Sequence, residues 1–454
     1  MAETRIDLRT TPIEQCFKHY LLPAITGLVI KSLFIMGDSI MIGRGVGPDG
    51  LGAIALTIPF FSFFTAIAMM VGIGGSAMMS IQFGKGQYKE GQSLFAQSLL
   101  LILILASGLS FTALYWLEDI LLLIGAQGDI SSLAGDFLGV MLQFFVIYAI
   151  TWVISCFVRN DGNPKLAMYA MAGGAVLNLV LDYIFIFHFG WGLTGAAYAT
   201  GIAQVMMLLF LLSHFTRGKG QLSLSLQGIG LGKAPKILAI GLPIFFIESS
   251  MAATTLIYNA VLLELGGDLY LNAFSIVMNV GVFVMFTLVG IGQACQPIIS
   301  FNHGANNANR VERTLAIGLR IAVTVGIAAI FVAQFFATEI AGLFTVDHQE
   351  LILLSASALG LYFLAYPFMA INLVTATMFQ SIGSPAQANV ISVCRGFVFV
   401  VIGLLLLPKA MPENGVWLSP LFAETLAAII SVFFLVKLKK KTPPAKNTLC
   451  TSES

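Results

Sequence analysis

The sequence predicts an all-α integral membrane protein of twelve transmembrane helices, arranged as two pseudo-symmetric six-helix bundles. Three observations carry this: the composition, the spacing of the apolar runs, and a repeat between the two halves of the chain. Of 454 residues, 58% are hydrophobic and 10% charged, with mean hydropathy +0.91. A soluble domain carries roughly 25% charged residues, and no soluble fold of this size could cover such a surface with polar groups. The net charge of +1 supplies no basic field for nucleic acid. Cys16, Cys156, Cys295, Cys394 and Cys450 are scattered without CxxC or zinc spacing, so they are expected to be small apolar-like thiols. Residues 1–19 are polar, and the apolar run after them is too long for a signal peptide core.

A membrane-crossing helix needs roughly 20 apolar residues. Runs of that kind cover 20–43, 52–80, 92–116, 132–157, 165–187, 192–213, 236–263, 270–301, 314–336, 351–379, 387–407 and 416–437. They are continuous, whereas a β-barrel would show short alternating segments. With spans at these places, 18 of the 23 Lys and Arg residues fall on one side. Among them are Arg5, Arg9, Lys18, Lys85, Lys89, Arg159, Lys165, Arg217, Lys219, Lys233, Lys236, Arg310, Arg313 and the lysines from Lys437 to Lys446. Arg44 and Lys409 fall on the other side, and Lys31, Arg320 and Arg395 lie within spans. The excess of basic residues predicts that side, and both termini, to be cytoplasmic, in a multi-pass protein of the cell (inner) membrane.

The halves repeat at an offset near 220. Leu22-Pro23 matches Leu242-Pro243, Gly72-Ile73-Gly74 matches Gly290-Ile291-Gly292, and Gly84 matches Gly304. Gly162-Asn163-Pro164 matches Gly383-Ser384-Pro385, and Gly195 matches Gly415. Six spans per half insert both halves in the same direction, a parallel repeat about an axis along the membrane normal. The expected organisation is a lobe over 1–215, a cytoplasmic linker over 216–235, a second lobe over 236–441 and a tail over 442–454. Two lobes of this kind place a cavity between them and work by alternating access, which points to secondary transport.

Asp38, Asp182, Glu248 and Glu424 fall inside spans, where a charge costs roughly 2.5–3.5 kcal/mol on insertion scales. Asp38 and Asp182 reach similar depths in the outer half of the membrane, and Asn178 lies one turn from Asp182 on the same helical face. Two carboxylates and an amide oxygen in one pocket suit a small cation or an exchangeable proton. Glu248 is near the middle of span seven, Glu424 can pair with Arg395, and Lys31 can pair with Glu248 or line the cavity. Pro23 removes a backbone hydrogen bond and permits a bend, a candidate hinge. The many Met and Phe residues suit an adaptable apolar pocket, although most must face lipid or neighbours.

Four segments together are specific: Ile35-Met36-Gly37-Asp38-Ser39-Ile40-Met41-Ile42-Gly43, Arg159-Asn160-Asp161-Gly162-Asn163-Pro164, Asn178-Leu179-Val180-Leu181-Asp182, and the run from Gly290 to Gly304. On these the chain resembles the multidrug and toxic compound extrusion (MATE) family over essentially its whole length, in its DinF/MepA-like branch. The resemblance implies a MATE-like fold that exports small organic cations or amphipathic drugs against Na⁺ or H⁺. It implies a cation-coupling set of Asp38, Asn178, Asp182 and Thr200, with Glu248, Lys31 and Tyr148 as cavity or secondary residues. Two departures stand out. The fourth span offers Tyr148, Thr151 and Ser155 where relatives add an Asn, and span ten has no acid where another branch uses one. The first half is therefore the expected coupling site. No cofactor is expected beyond the coupling ion, no metal beyond Na⁺ at Asp38, Asn178 and Asp182, and no partner beyond lipid and substrate, so a monomer is expected. The alternative is a flippase for lipids or lipid-linked glycans of the same superfamily. An enzyme is not expected: neither HExxH nor GxSxG occurs, and His19, His188, His214, His303 and His348 fall near loops.

Overall fold

Six helices, a connecting segment and six more helices make up the computed structural model, which describes residues 6–441 apart from 217, 219, 226, 227, 346 and 347. Arg5, Arg217, Lys219, Lys446, Cys450 and the expected tail over 442–454 lie outside the described residues. The helices are α1 (Ile13–Gly45), α2 (Pro48–Gly84), α3 (Tyr88–Tyr115), α4 (Gly128–Asn160), α5 (Pro164–His188) and α6 (Gly192–Thr216). Then come α7 (234–265), α8 (268–304), α9 (Ala308–Phe335), α10 (Gln349–Ser381), α11 (Pro385–Ala410) and α12 (Gly415–Lys441). No strand occurs among the described residues.

The helix ends follow local chemistry. Asn163 and Pro164 start α5, the Asn163 side chain accepting from the Leu166 N–H while Pro164 takes a position that needs no donor. Asn307 caps α9 in the same way, accepting from the Arg310 N–H. The helical stretch from Ala234 to Gly304 is far longer than one bilayer crossing requires. Gly266 and Gly267 break it into two spans, Gly267 at φ +62°, where a side chain would be strained. Eleven helical runs are long and apolar enough to cross a membrane, and this broken one counts twice. Most runs extend a few residues beyond the apolar stretches. The first turns of α1, for example, bury Ile13, Cys16 and Phe17 in the core of the second half.

The repeat is visible in three dimensions. Each helix of the second half starts 220–223 residues after its counterpart, and the short helix Leu117–Leu123 has its mate at Ala337–Gly342. The halves meet through α1 and α2 of the first and α7 and α8 of the second. Along α2, residues 64–80 are buried on every side, whereas over 48–63 only Gly50, Ala53 and Thr57 are buried. Helix α8 shows the same contrast, almost wholly buried from Gly290 to Ser300 and on one side only before that. Burial all round requires neighbours from both halves. The halves therefore close at the end bearing the basic loops and part toward the opposite end. Gly84 and Gly304 permit the close approach at that end, as Gly74 and Gly241 do between α2 and α7. A Cβ on Gly84 would sit 2.0 Å from the Phe301 carbonyl oxygen, and one on Gly304 2.0 Å from that of Ile81.

Candidate functional site

Helices α1, α5 and α6 gather the first half's polar cluster. Asn178 and Asp182 are one turn apart on α5 and almost fully buried, at 1% and 0% exposure. The Asp38 carboxyl, from α1, is a close enough neighbour of the Asp182 carboxyl for the two to interact electrostatically. Thr200, from α6, accepts a hydrogen bond from Asn178 Nδ2 at 3.1 Å. With Nδ2 so engaged, Asn178 Oδ1 is left without a hydrogen-bond partner. Gly195, Ala196, Ala197 and Ala199 on α6 are buried, and such small residues let membrane helices approach closely. Directly after Asp182, α5 passes into a π-helical stretch, Tyr183–His188, a distortion often found at functional sites.

Four oxygens of this cluster are buried without a hydrogen-bond partner: Asp38 Oδ1, Asn178 Oδ1 and both carboxylate oxygens of Asp182. A buried polar atom left unpaired costs about 1–3 kcal/mol, more when charged. Two carboxylates so close and shielded from water repel strongly, and a proton or small cation between them removes that repulsion. The ligand set is oxygen only, which favours hard cations. Among the described residues, no group of three His, Cys, Asp or Glu side chains could hold a metal ion.

The other expected residues fall elsewhere. Lys31 lies between the halves, its ammonium 5.2 Å from the Trp152 ring of α4 and 5.9 Å from the Phe286 ring of α8. It is in electrostatic range of Glu248 on α7, but the two do not form the direct ion pair that the sequence suggested. Tyr148 is not in the acid cluster either. It packs edge-on to Phe61 at 5.3 Å and leads to Trp152 at 6.5 Å, extending an aromatic wall toward Lys31. Pro23 is buried within α1, whose helix continues through it.

In the second half the acid is satisfied. Arg395, 5% exposed, donates through Nη2 and Nε to Glu424, 4% exposed, at 2.7–3.2 Å. Asn372 Nδ2 donates to the same carboxylate at 2.7 Å, and Ser431 donates to Asn372 Oδ1 at 2.7 Å.

Sequence reasoning missed two polar groups near the closed end. Asp161 is buried and accepts from the Gln221 and Leu222 N–H groups at 2.8 and 3.0 Å, with His214 Nε2 at 2.8 Å, pinning the connecting segment to the first half. Arg159 reaches across to Gln293 on α8, with Nη2 3.6 Å from Cys156 Sγ and a buried Nε that has no partner. Both lie at the helix end that the resemblance singled out as a segment, but only the fold shows what they touch.

Comparisons with known proteins agree with this architecture. The MatE family model matches residues 23–184 and again 243–405, the same displacement as the repeat. The multidrug export protein MepA of Staphylococcus haemolyticus (strain JCSC1435) is 25% identical over 448 residues, 97% of each chain. MepA of Staphylococcus aureus (strain MSSA476) is 24% identical over 436 residues, 95% of each. A solved structure described as the outward-facing conformation of a multidrug resistance MATE family transporter superposes with TM-score 0.90 at 25% identity, covering 97% of this chain and 100% of that one. A transporter from Pyrococcus furiosus, described as having a binding pocket of reverse polarity that suggests a different function, superposes with the same score, identity and coverage. A twofold family match over most of the chain, on a twelve-helix membrane fold shared end to end with solved transporters, leaves one conclusion: the chain belongs to the MatE family and is a multi-pass membrane transporter.

Proposed function

We propose that this protein exports amphipathic organic compounds, including organic cations, by alternating access, driven by inward movement of Na⁺ or H⁺ through the cluster of Asp38, Asn178, Asp182 and Thr200. The two six-helix halves act as lobes. Both termini and the basic loops face the cytoplasm of a cell (inner) membrane, so the cleft opens outward. The observation that carries the coupling assignment is the set of four buried, partnerless oxygens in the first half. A cluster left unsatisfied has a reason to bind an ion, whereas Glu424, matched by Arg395 and Asn372, does not. The exporter names of the relatives support the direction and the class of cargo.

The test is dye efflux in everted vesicles, driven separately by a Na⁺ gradient and a pH gradient. Asp38→Asn is expected to insert normally and to lose gradient-driven efflux. Wild-type efflux in that variant would remove Asp38 from the coupling.

A second reading, a flippase for phosphate-bearing lipids, draws on one feature. Lys31 and Arg159 are cations at the interface of the halves, and neither lies in an ion pair among the described residues. Binding of a cationic dye compared with a lipid phosphate headgroup separates the two, and Lys31→Gln is expected to weaken only the second.

A further inference from the structure

The segment ahead of α1 crosses from its own half to the other. The Leu8 carbonyl accepts from Asn302 Nδ2 at 3.2 Å, and the Thr11 carbonyl from Arg310 Nη2 at 2.6 Å. Both donors belong to the second half, and Arg310 Nε also donates to Asn302 Oδ1 at 3.0 Å, so the end of α8 and the start of α9 hold the segment as one unit. Glu14 and Arg313 pair just beyond. Arg9 touches both halves at once. Its Nη2 donates to the Gly84 carbonyl at 2.9 Å, and its guanidinium stands 5.7 Å from the Phe301 ring centroid. Gly84 and Phe301 form one of the two pairs of residues whose backbones meet at the closed end, Gly304 and Ile81 being the other. The segment is also shaped in advance, since Asp7 accepts from the Arg9 N–H at 2.8 Å and from the Thr10 hydroxyl at 2.9 Å.

We propose that residues 6–12 form a latch that holds the cytoplasmic gate shut, and that Arg9 must leave Gly84 and Phe301 before the cleft can open inward. The inference rests on the alternating-access reading above. In the connecting segment ahead of α7, Ser223, Gly228 and Lys233 instead dock on α3. Arg9 is exposed, so its own share is modest, and Arg310, partly buried, carries more. The backbone N–H of Arg9, outweighing partial burial and aided by Thr10, holds the Asp7 carboxyl below the usual carboxylate range. A carboxyl lowered in this way keeps its contacts above that range and loses them only as pH falls through it. The turn made by Asp7 therefore persists across physiological pH, and release is assigned to movement of the lobes.

The test places spin labels at Glu90→Cys on α3 and Glu312→Cys on α9, both exposed, in a cysteine-free protein reconstituted in nanodiscs, and measures their separation by electron–electron double resonance. Arg9→Ala is expected to raise the ratio of long to short separations several-fold, and Arg9→Ala with Arg310→Ala about tenfold. Arg9→Lys, which keeps the charge but not the planar fork, falls between wild type and Arg9→Ala. Because Arg9 is exposed, its replacement leaves the fold intact. An unchanged ratio in both Ala variants of a protein that still visits both separations overturns the latch. A single separation under every ion and substrate condition overturns alternating access instead.

Discussion

In the proposed coupling set, Thr200 would act through Asn178. Its hydroxyl accepts from the amide Nδ2, and Asn178 Oδ1 is left without a partner. Thr200→Val keeps the shape and removes the acceptor, leaving the amide free to turn its nitrogen toward the cluster. Loss of such an orienting partner typically lowers ion affinity 10- to 100-fold. The concentration of Na⁺ or H⁺ giving half-maximal efflux is expected to rise by about tenfold in Thr200→Val and to stay near wild type in Thr200→Ser. If Val leaves both ion dependences unmoved, Thr200 orients nothing. The acids and Asn178 were legible in the sequence, because an ionisable residue inside an apolar run stands out and the i, i+4 spacing puts Asn178 and Asp182 on one face. The position of Lys31 was not. Seven residues along α1 from Asp38, it turns to the aromatic rings of both halves rather than to an acid, and only packing decides that.

Helices α5 and α11 occupy equivalent places and carry opposite solutions. Helix α5 brings an acid without a counter-charge. Helix α11 brings Arg395 from its own π-helical stretch, Cys394–Val398, to Glu424 on α12. The equivalence extends to the neighbours: Thr151 Oγ1 lies 3.5 Å from the Gln204 carbonyl, and 220–221 residues later Asn372 Nδ2 lies 2.9 Å from the Glu424 carbonyl. At the position equivalent to Gln204 the second half thus has Glu424, which also takes an ion pair from Arg395 on α11. Arg395→Met leaves the Glu424 carboxylate buried and uncompensated, a loss of about 3–5 kcal/mol. The double change Arg395→Met with Glu424→Leu is expected to recover most of that stability, as read from thermal unfolding in detergent, with the ion dependence of efflux unaltered. Should ion dependence vanish with stability restored, the second half takes part in coupling and the assignment to the first half fails.

Across the whole molecule, closure depends on glycines along the seam, Gly74 and Gly241 between α2 and α7 and Gly84 and Gly304 at its end. With a Cβ only 2.0 Å from a carbonyl oxygen of the opposite half, Gly84→Val and Gly304→Val cannot keep the closed packing. Overpacking of this kind costs roughly 1–3 kcal/mol, which corresponds to about 5- to 150-fold in the ratio of states. Each substitution is expected to shift the protein toward the inward-open form, read as faster labelling of a cysteine at Ile81 by a membrane-impermeant maleimide in everted vesicles. Labelling at the wild-type rate would show that the halves part without disturbing this contact. The sequence placed Gly84 and Gly304 as repeat partners but did not say that they face each other, since a match at a fixed offset fixes equivalence and not proximity.

Hydrophobic period, run length and the asymmetry of basic residues were enough for the number of spans, their expected orientation and the repeat, because lipid forces every backbone group into a helix and leaves few ways to fold such a chain. The acids of the first half were likewise marked by their cost. What only the tertiary structure decided is which polar groups are answered and which are not. Glu424 does meet the arginine that the sequence offered as a partner, Asp161 meets the connecting segment, and Arg9 bridges the closed end, while Asp38 Oδ1 and both Asp182 carboxylate oxygens are left without a hydrogen-bond partner. Those pairings join residues far apart along the chain, so they depend on how helices cross and rotate, which no local pattern encodes.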